Sequence, residues 1–190
     1  MSHASHTALF VSVLIPVLSA AQNRPTLDHH EPRRLDVIEV TGTRLPSESI
    51  IRVSGLKVGE TITDETLKRA TDKITSTGLV KGIDYGFNIA PGKQGVSLSM
   101  HVFDEGPLLP VRIEPADVAT NVWSCLQSAD PIFRAEMPNT EKAIHFYSVN
   151  MARCLGMPGA GRERVSATVA CDGSGKSIAI DFHLRAEPAR

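Results

Sequence analysis

The side chains best suited to chemistry are three cysteines, Cys125, Cys154 and Cys171, and the histidines His101, His145 and His183. A thiol nucleophile needs a base within hydrogen-bond reach to take its proton. Cys125 or Cys154 with His145 is the pairing that would make a small exported hydrolase. Their surroundings argue against it. His145 adjoins the apolar stripe of a helix and Cys154 ends that helix, while His101 and His183 fall on the wet faces of alternating strands. Nothing gathers them around a cleft, so no catalytic residue is assigned. The cysteine spacing fits no zinc pattern, and His29, His30 and Glu31 sit in a polar tail where solvation is their simplest fate, so no metal site is expected. GSGKS at 173–177 looks like the end of a phosphate-binding loop. That motif needs a first glycine where Ala170 stands and a helix afterwards to aim its dipole at phosphate. A strongly alternating strand follows instead, so the segment reads as a hairpin turn and no cofactor is expected. Asp104 and Glu105 read as strand-end carboxylates rather than an acid–base pair.

Composition and the N-terminus set the setting. The chain has 190 residues, a net charge of -1 and 5% aromatic residues. That charge provides no basic field for nucleic acid, and so few large side chains make thin cores. Ala8 to Leu18 is a short apolar run, and Ser19, Ala20 and Ala21 supply small residues before Gln22. The run is shorter than the about 20 residues a spanning helix needs, so residues 1–21 read as a signal peptide. Residues 22–34 lack apolar periodicity and read as a flexible lead-in.

Export puts the cysteines in an oxidising compartment, and their odd number leaves at least one unpaired within the chain. Cys154 ends a helix and Cys171 ends the strand after it, separated by about 20 Å of strand. A disulfide needs Cα atoms within about 7 Å, so those two are not expected to join. Cys125 lies on a shorter helical segment and reaches Cys154 if the two helices pack side by side. The candidate disulfide is Cys125–Cys154.

These residues are positioned by elements with clear periodicities. LDVIEVTG, from Leu35, is a strand ending at Gly42. Ser47 is expected to cap a short helix carrying Ile50, Ile51 and Val53. Thr63 caps a longer one, with Asp64 and Glu65 at its positive end, Leu67, Ala70 and Ile74 on one face, and Gly78 as the stop. Ile83, Tyr85, Phe87 and Ile89 then alternate with small or polar residues, PGKQG turns the chain, and Val96, Leu98, Met100 and Val102 alternate again. The second half repeats the order. It has a strand at Leu109, Val111 and Ile113, then a helical region at 118–126 with Val122, Cys125 and Leu126 inward. A longer helix is expected from an Asn139 cap to Leu155, with Ile144, Tyr147 and Met151 inward. A hairpin follows, with Val165, Ala167 and Val169 on one strand and Ile178, Ile180, Phe182 and Leu184 on the other. An internal repeat of this kind outweighs any short motif.

The succession IEVTGTRLPSESII, GLKVGETITDETLKRATDKITSTGLVKGIDYGF and VSLSMHVFDEGP resembles a polypeptide-transport-associated (POTRA) repeat of the outer-membrane assembly family. The likeness covers roughly 36–110 and rests on order and spacing. Its features are the strand ending in Gly42, the glycine-rich lead into the helix, the pattern Leu67-Ala70-Ile74-Gly78, and a last strand ending in Glu105 before Pro107. The second copy is degenerate, without counterparts of Gly55 and Gly59 and with Trp123 in its first helix.

The resemblance implies an α+β fold of two consecutive βααββ modules, a POTRA domain at 35–107 and a degenerate POTRA-like domain at 108–190. Each would be a small three-stranded mixed sheet covered by two helices. It also implies a periplasmic, non-catalytic scaffold whose partners are proteins: an outer-membrane β-barrel, a secretion component or an unfolded client. The family usually sets such repeats before a membrane barrel. None follows Arg190 here, so direct insertion of barrels is not expected. Binding would use strand addition at a sheet edge, at 82–90 or 164–170, if the neighbouring module leaves it open. Gly82, Asp84, Gly86 and Asn88 point away from the core and mark the partner-binding edge, with Asn88 among the N–H groups on offer. An envelope adaptor resembling a TonB C-terminal domain is the other binding reading.

Overall fold

The computed structural model describes residues 32–89, 95–156 and 164–185. The signal segment 1–21, most of the lead-in and the turn at 91–94 lie outside the described residues.

Two modules follow one plan. The first comprises β1 (Arg33–Thr41), α1 (Ser47–Ser54), β2 (Thr61–Ile62), α2 (Asp64–Ser76), β3 (Val80–Ile89) and β4 (Val96–Asp104). The second comprises β5 (Leu108–Glu114), α3 (Ala116–Ala129), β6 (Glu136–Pro138), α4 (Glu141–Cys154), β7 (Val165–Cys171) and β8 (Ser177–Leu184). The sheet orders are β2-β1-β4-β3 and β6-β5-β8-β7. In each, the first long strand runs parallel to the last, and the hairpin pair is antiparallel. The fold class is therefore α+β, two consecutive βααββ modules, and the repeat holds at the level of strand pairing.

Periodicity explains which faces are buried. Leu67, Ala70 and Ile74 of α2 lie against Val96, Leu98, Met100 and Val102 of β4, all buried. Thr63 begins α2 by accepting from Thr66 N, while Thr66 Oγ1 accepts from Thr63 N at 2.6 Å. In the second module Tyr147 and Met151 of α4 and Ile180 and Phe182 of β8 are buried.

Several expectations need correction. Each sheet has four strands rather than three, because a strand of two or three residues pairs with β1 or β5. Such short segments carry no alternation. The lead-in ends earlier than residue 34, since Arg33 and Arg34 pair with Ile62 and Thr61. The residues before α1 and α4 are Pro46 and Thr140, not Ser47 and Asn139. Thr140 holds its place because its hydroxyl accepts from Ala143 N at 3.1 Å. Ile178 is 42% exposed while Ala179 is buried. A register shift between Ala170 and Cys171 pairs Cys171 with Ser177, leaving Ile178 as the extra residue that breaks the alternation.

Candidate partner-binding edge

β3 is the longest strand of its sheet, ten residues, and among the described residues it stands at the sheet's end, paired with β4. Tyr85 ties it to α2. Its hydroxyl lies 2.9 Å from Thr71 Oγ1, and burial pushes its pKa above the ordinary value while the Thr71 contact opposes that.

The ladder determines which backbone groups face outward. Glu105 N donates to Leu79 O at 2.9 Å, so Glu105 and the residues two apart from it along β4 turn their N–H groups toward β3. A bulge between Val80 and Gly82 then inserts Lys81. Beyond the bulge, exchanging and non-bonded pairs alternate, so Asp84 exchanges with His101, Gly86 with Ser99 and Asn88 with Ser97. The N–H and C=O groups of Ile83, Tyr85 and Phe87 point off the sheet. The expectation for Asn88 is thereby corrected. Gly82, Asp84, Gly86 and Asn88 line the edge with side chains or bare Cα atoms, but the N–H of Asn88 is turned toward β4. The bulge shifts side chains and backbone groups together: Val80 is buried, Lys81 is exposed, and the inward alternation resumes at Ile83.

The outer face beside the edge is shallow. Gly82, Asp84, Gly86 and Asn88 sit opposite Phe103, His101, Ser99 and Ser97. Phe103 is 42% exposed and stacks edge-on to His101 at 4.8 Å. His101 Nδ1 lies 3.2 Å from Thr41 Oγ1.

The second module offers the same arrangement at β7, again at the sheet's end. Arg185 N donates to Arg164 O at 2.9 Å, so by alternation Val165, Ala167 and Val169 carry the outward groups. His183 occupies the place of His101, with Nδ1 3.0 Å from Glu114 and Nε2 2.9 Å from Thr168 Oγ1. This row lies on the outer face of its sheet.

Other chemistry-bearing residues are accounted for structurally. Cys125 and Cys154 form a disulfide between α3 and α4, with Cα atoms 5.8 Å apart, so neither sulfur is a thiol and the hydrolase pairing loses its nucleophile. His145 is exposed, and Cys171 is free and exposed. GSGKS closes a hairpin. Asp172 accepts from Ser174 N at 2.9 Å and Lys176 N at 3.0 Å. Those bonds hold the Asp172 carboxyl below its ordinary pKa, with the Ser174 hydroxyl the main cause. Among the described residues, no three metal-ligating side chains gather, and no helix is long and apolar enough to cross a membrane.

No family model matches the chain, and no curated protein matches it. Solved structures similar to it include POTRA domains. POTRA1-2 of the periplasmic domain of Omp85 from Anabaena is 12% identical with a TM-score of 0.39, covering 85% of this chain and 99% of that one. The N-terminal domain of Omp85 from Thermosynechococcus elongatus is 18% identical with a TM-score of 0.38, covering 81% of this chain. This chain spans only 63% of that one's length. POTRA3-5 of Haemophilus influenzae BamA is 16% identical with a TM-score of 0.36, covering 83% and 68%.

Proposed function

We propose that this chain is an exported, non-catalytic scaffold of the cell envelope that binds polypeptides by adding an extended segment to the edge of β3. The observation that carries the reading is a ten-residue strand at the end of its sheet, with the backbone groups of alternate residues turned outward. Unpaired edge groups are satisfied by a partner's backbone without regard to its sequence, which suits a binder of varied clients. The Cys125–Cys154 disulfide supports an oxidising compartment. The partners that fit are an outer-membrane β-barrel, a secretion component or an unfolded client, and β7 is a second edge of the same kind.

The test is photo-crosslinking with a reactive group at Asp84, at Asn88 or at Glu65 on α2, using an unfolded outer-membrane barrel polypeptide as probe. Adducts are expected from Asp84 and Asn88 and not from Glu65. Equal labelling from Glu65 would show that the polypeptide does not choose the edge.

A further inference from the structure

The two modules touch through bonds as well as through a shared apolar core. Asp130, just after α3, accepts from Ser49 Oγ of α1 at 2.5 Å and from Arg52 Nη1 at 2.9 Å. Its Oδ1 also accepts from Ile132 N at 2.9 Å, which fixes the carboxylate on its own module. Ser49 is fully buried. Arg134 of the second module donates to Arg44 O of the first at 2.7 Å.

A third contact joins two helix ends. Thr140, the N-cap of α4, donates from Oγ1 to Gly78 O at 3.1 Å, just beyond α2. The negative end of α2 therefore meets the positive end of α4, an arrangement their dipoles favour. The approach is so close that a Cβ on Gly78 would collide with Ala143 N and lie 2.6 Å from Lys142 Cβ. Around these bonds, Leu45 and Leu79 of the first module share an apolar wall with Leu108, Ile132, Pro138 and Tyr147 of the second.

We propose that this junction is a lock that makes the two modules one rigid body, with Asp130 clamping α1 and the α2–α4 contact setting the angle. The β3 and β7 edges are then held at a fixed mutual orientation. The lock stands independently of whether either edge binds a strand.

Two glycines provide a matched test. Gly78 (φ +70°) and Gly156 (φ +73°) both follow helices in the left-handed region, so alanine strains each backbone alike. A Cβ at Gly156 meets nothing within 4 Å, whereas one at Gly78 meets the other module. Residual dipolar couplings of backbone amides in the full chain, weakly aligned, report module orientation. For the native chain and for Gly156→Ala, one alignment tensor is expected to fit both sheets. For Gly78→Ala, the two modules are expected to need different tensors. Should Gly78→Ala fail to fold, the double variant Ser49→Ala/Asp130→Ala removes the clamp without backbone strain and is expected to separate the tensors. Two tensors in the native chain, or Gly78→Ala matching Gly156→Ala, would overturn the lock. So would a single tensor in the double variant.

Discussion

At the scale of single residues, Tyr147 and Asp104 tie stability to pH in opposite senses. The Tyr147 hydroxyl is buried beside the module junction, accepting from Arg134 N at 2.9 Å and donating to Arg134 O at 3.1 Å. Burial pushes its pKa from 10.0 up to about 12, against the opposing pull of Arg134. Its neutral form is thus favoured by folding. That contribution is intact below pH 10 and fades as pH rises from 10 to about 12. Tyr147→Phe is expected to remove this alkaline loss from a series of chemical denaturation curves. It should also cost about 1–3 kcal/mol at neutral pH by stranding the Arg134 backbone groups. Asp104 works in the opposite sense. Burial alone would raise its pKa, but the bonds from Thr43 Oγ1, at 2.5 Å, and from Arg44, together with the Arg44 charge, outweigh it and hold the carboxyl below 3.8. A depressed carboxyl stabilises the fold above the unfolded value, so its share is lost as pH falls below 3.8. Asp104→Asn is expected to flatten the acid limb of melting temperature against pH, and an unchanged limb would place the titration elsewhere.

At the scale of elements, α3 and α4 are stitched by Cys125–Cys154 across a separation of 29 residues. Closing a loop of that length stabilises by about 3–4 kcal/mol on chain-entropy grounds. Mild reduction followed by a melt should show a loss of that order. Under native, non-reducing conditions, an alkylating reagent should mark Cys171 alone. Labelling of Cys125 without reductant would contradict the pairing. Helices and long strands were legible in the sequence because burial imposes a period: Leu67, Ala70 and Ile74 mark α2, and Val96, Leu98, Met100 and Val102 mark β4. What could not be read had no period to show it. β2 and β6 are too short, Ile178 is displaced by a shift in the β7–β8 register, and which backbone groups of β3 face out is set by its pairing with β4, which no side-chain period reports. For the candidate site, the strand was readable from the residues, whereas its place at the sheet's end came only through the family resemblance.

At the scale of the whole molecule, the two halves repeat a topology without repeating its residues, and their contact is the least visible feature in the sequence. Ser49 and Asp130 are 81 residues apart, and nothing in either segment announces the other. Two thin modules gain stability by sharing one apolar core, as domains of this size require. A calorimetric scan of the full chain is therefore expected to show one cooperative transition, with calorimetric and van't Hoff enthalpies equal. Two resolved transitions would mean that the modules fold separately. The central claim, that β3 takes up an extended polypeptide through its backbone, is tested most directly by amide hydrogen exchange at single-residue resolution, with and without an unfolded outer-membrane barrel polypeptide. The amides of Ile83, Tyr85 and Phe87 are expected to gain protection on binding, while those of Asp84, Gly86 and Asn88, already engaged with β4, stay unchanged. Binding that leaves Ile83, Tyr85 and Phe87 exchanging at their free rates would contradict strand addition at this edge.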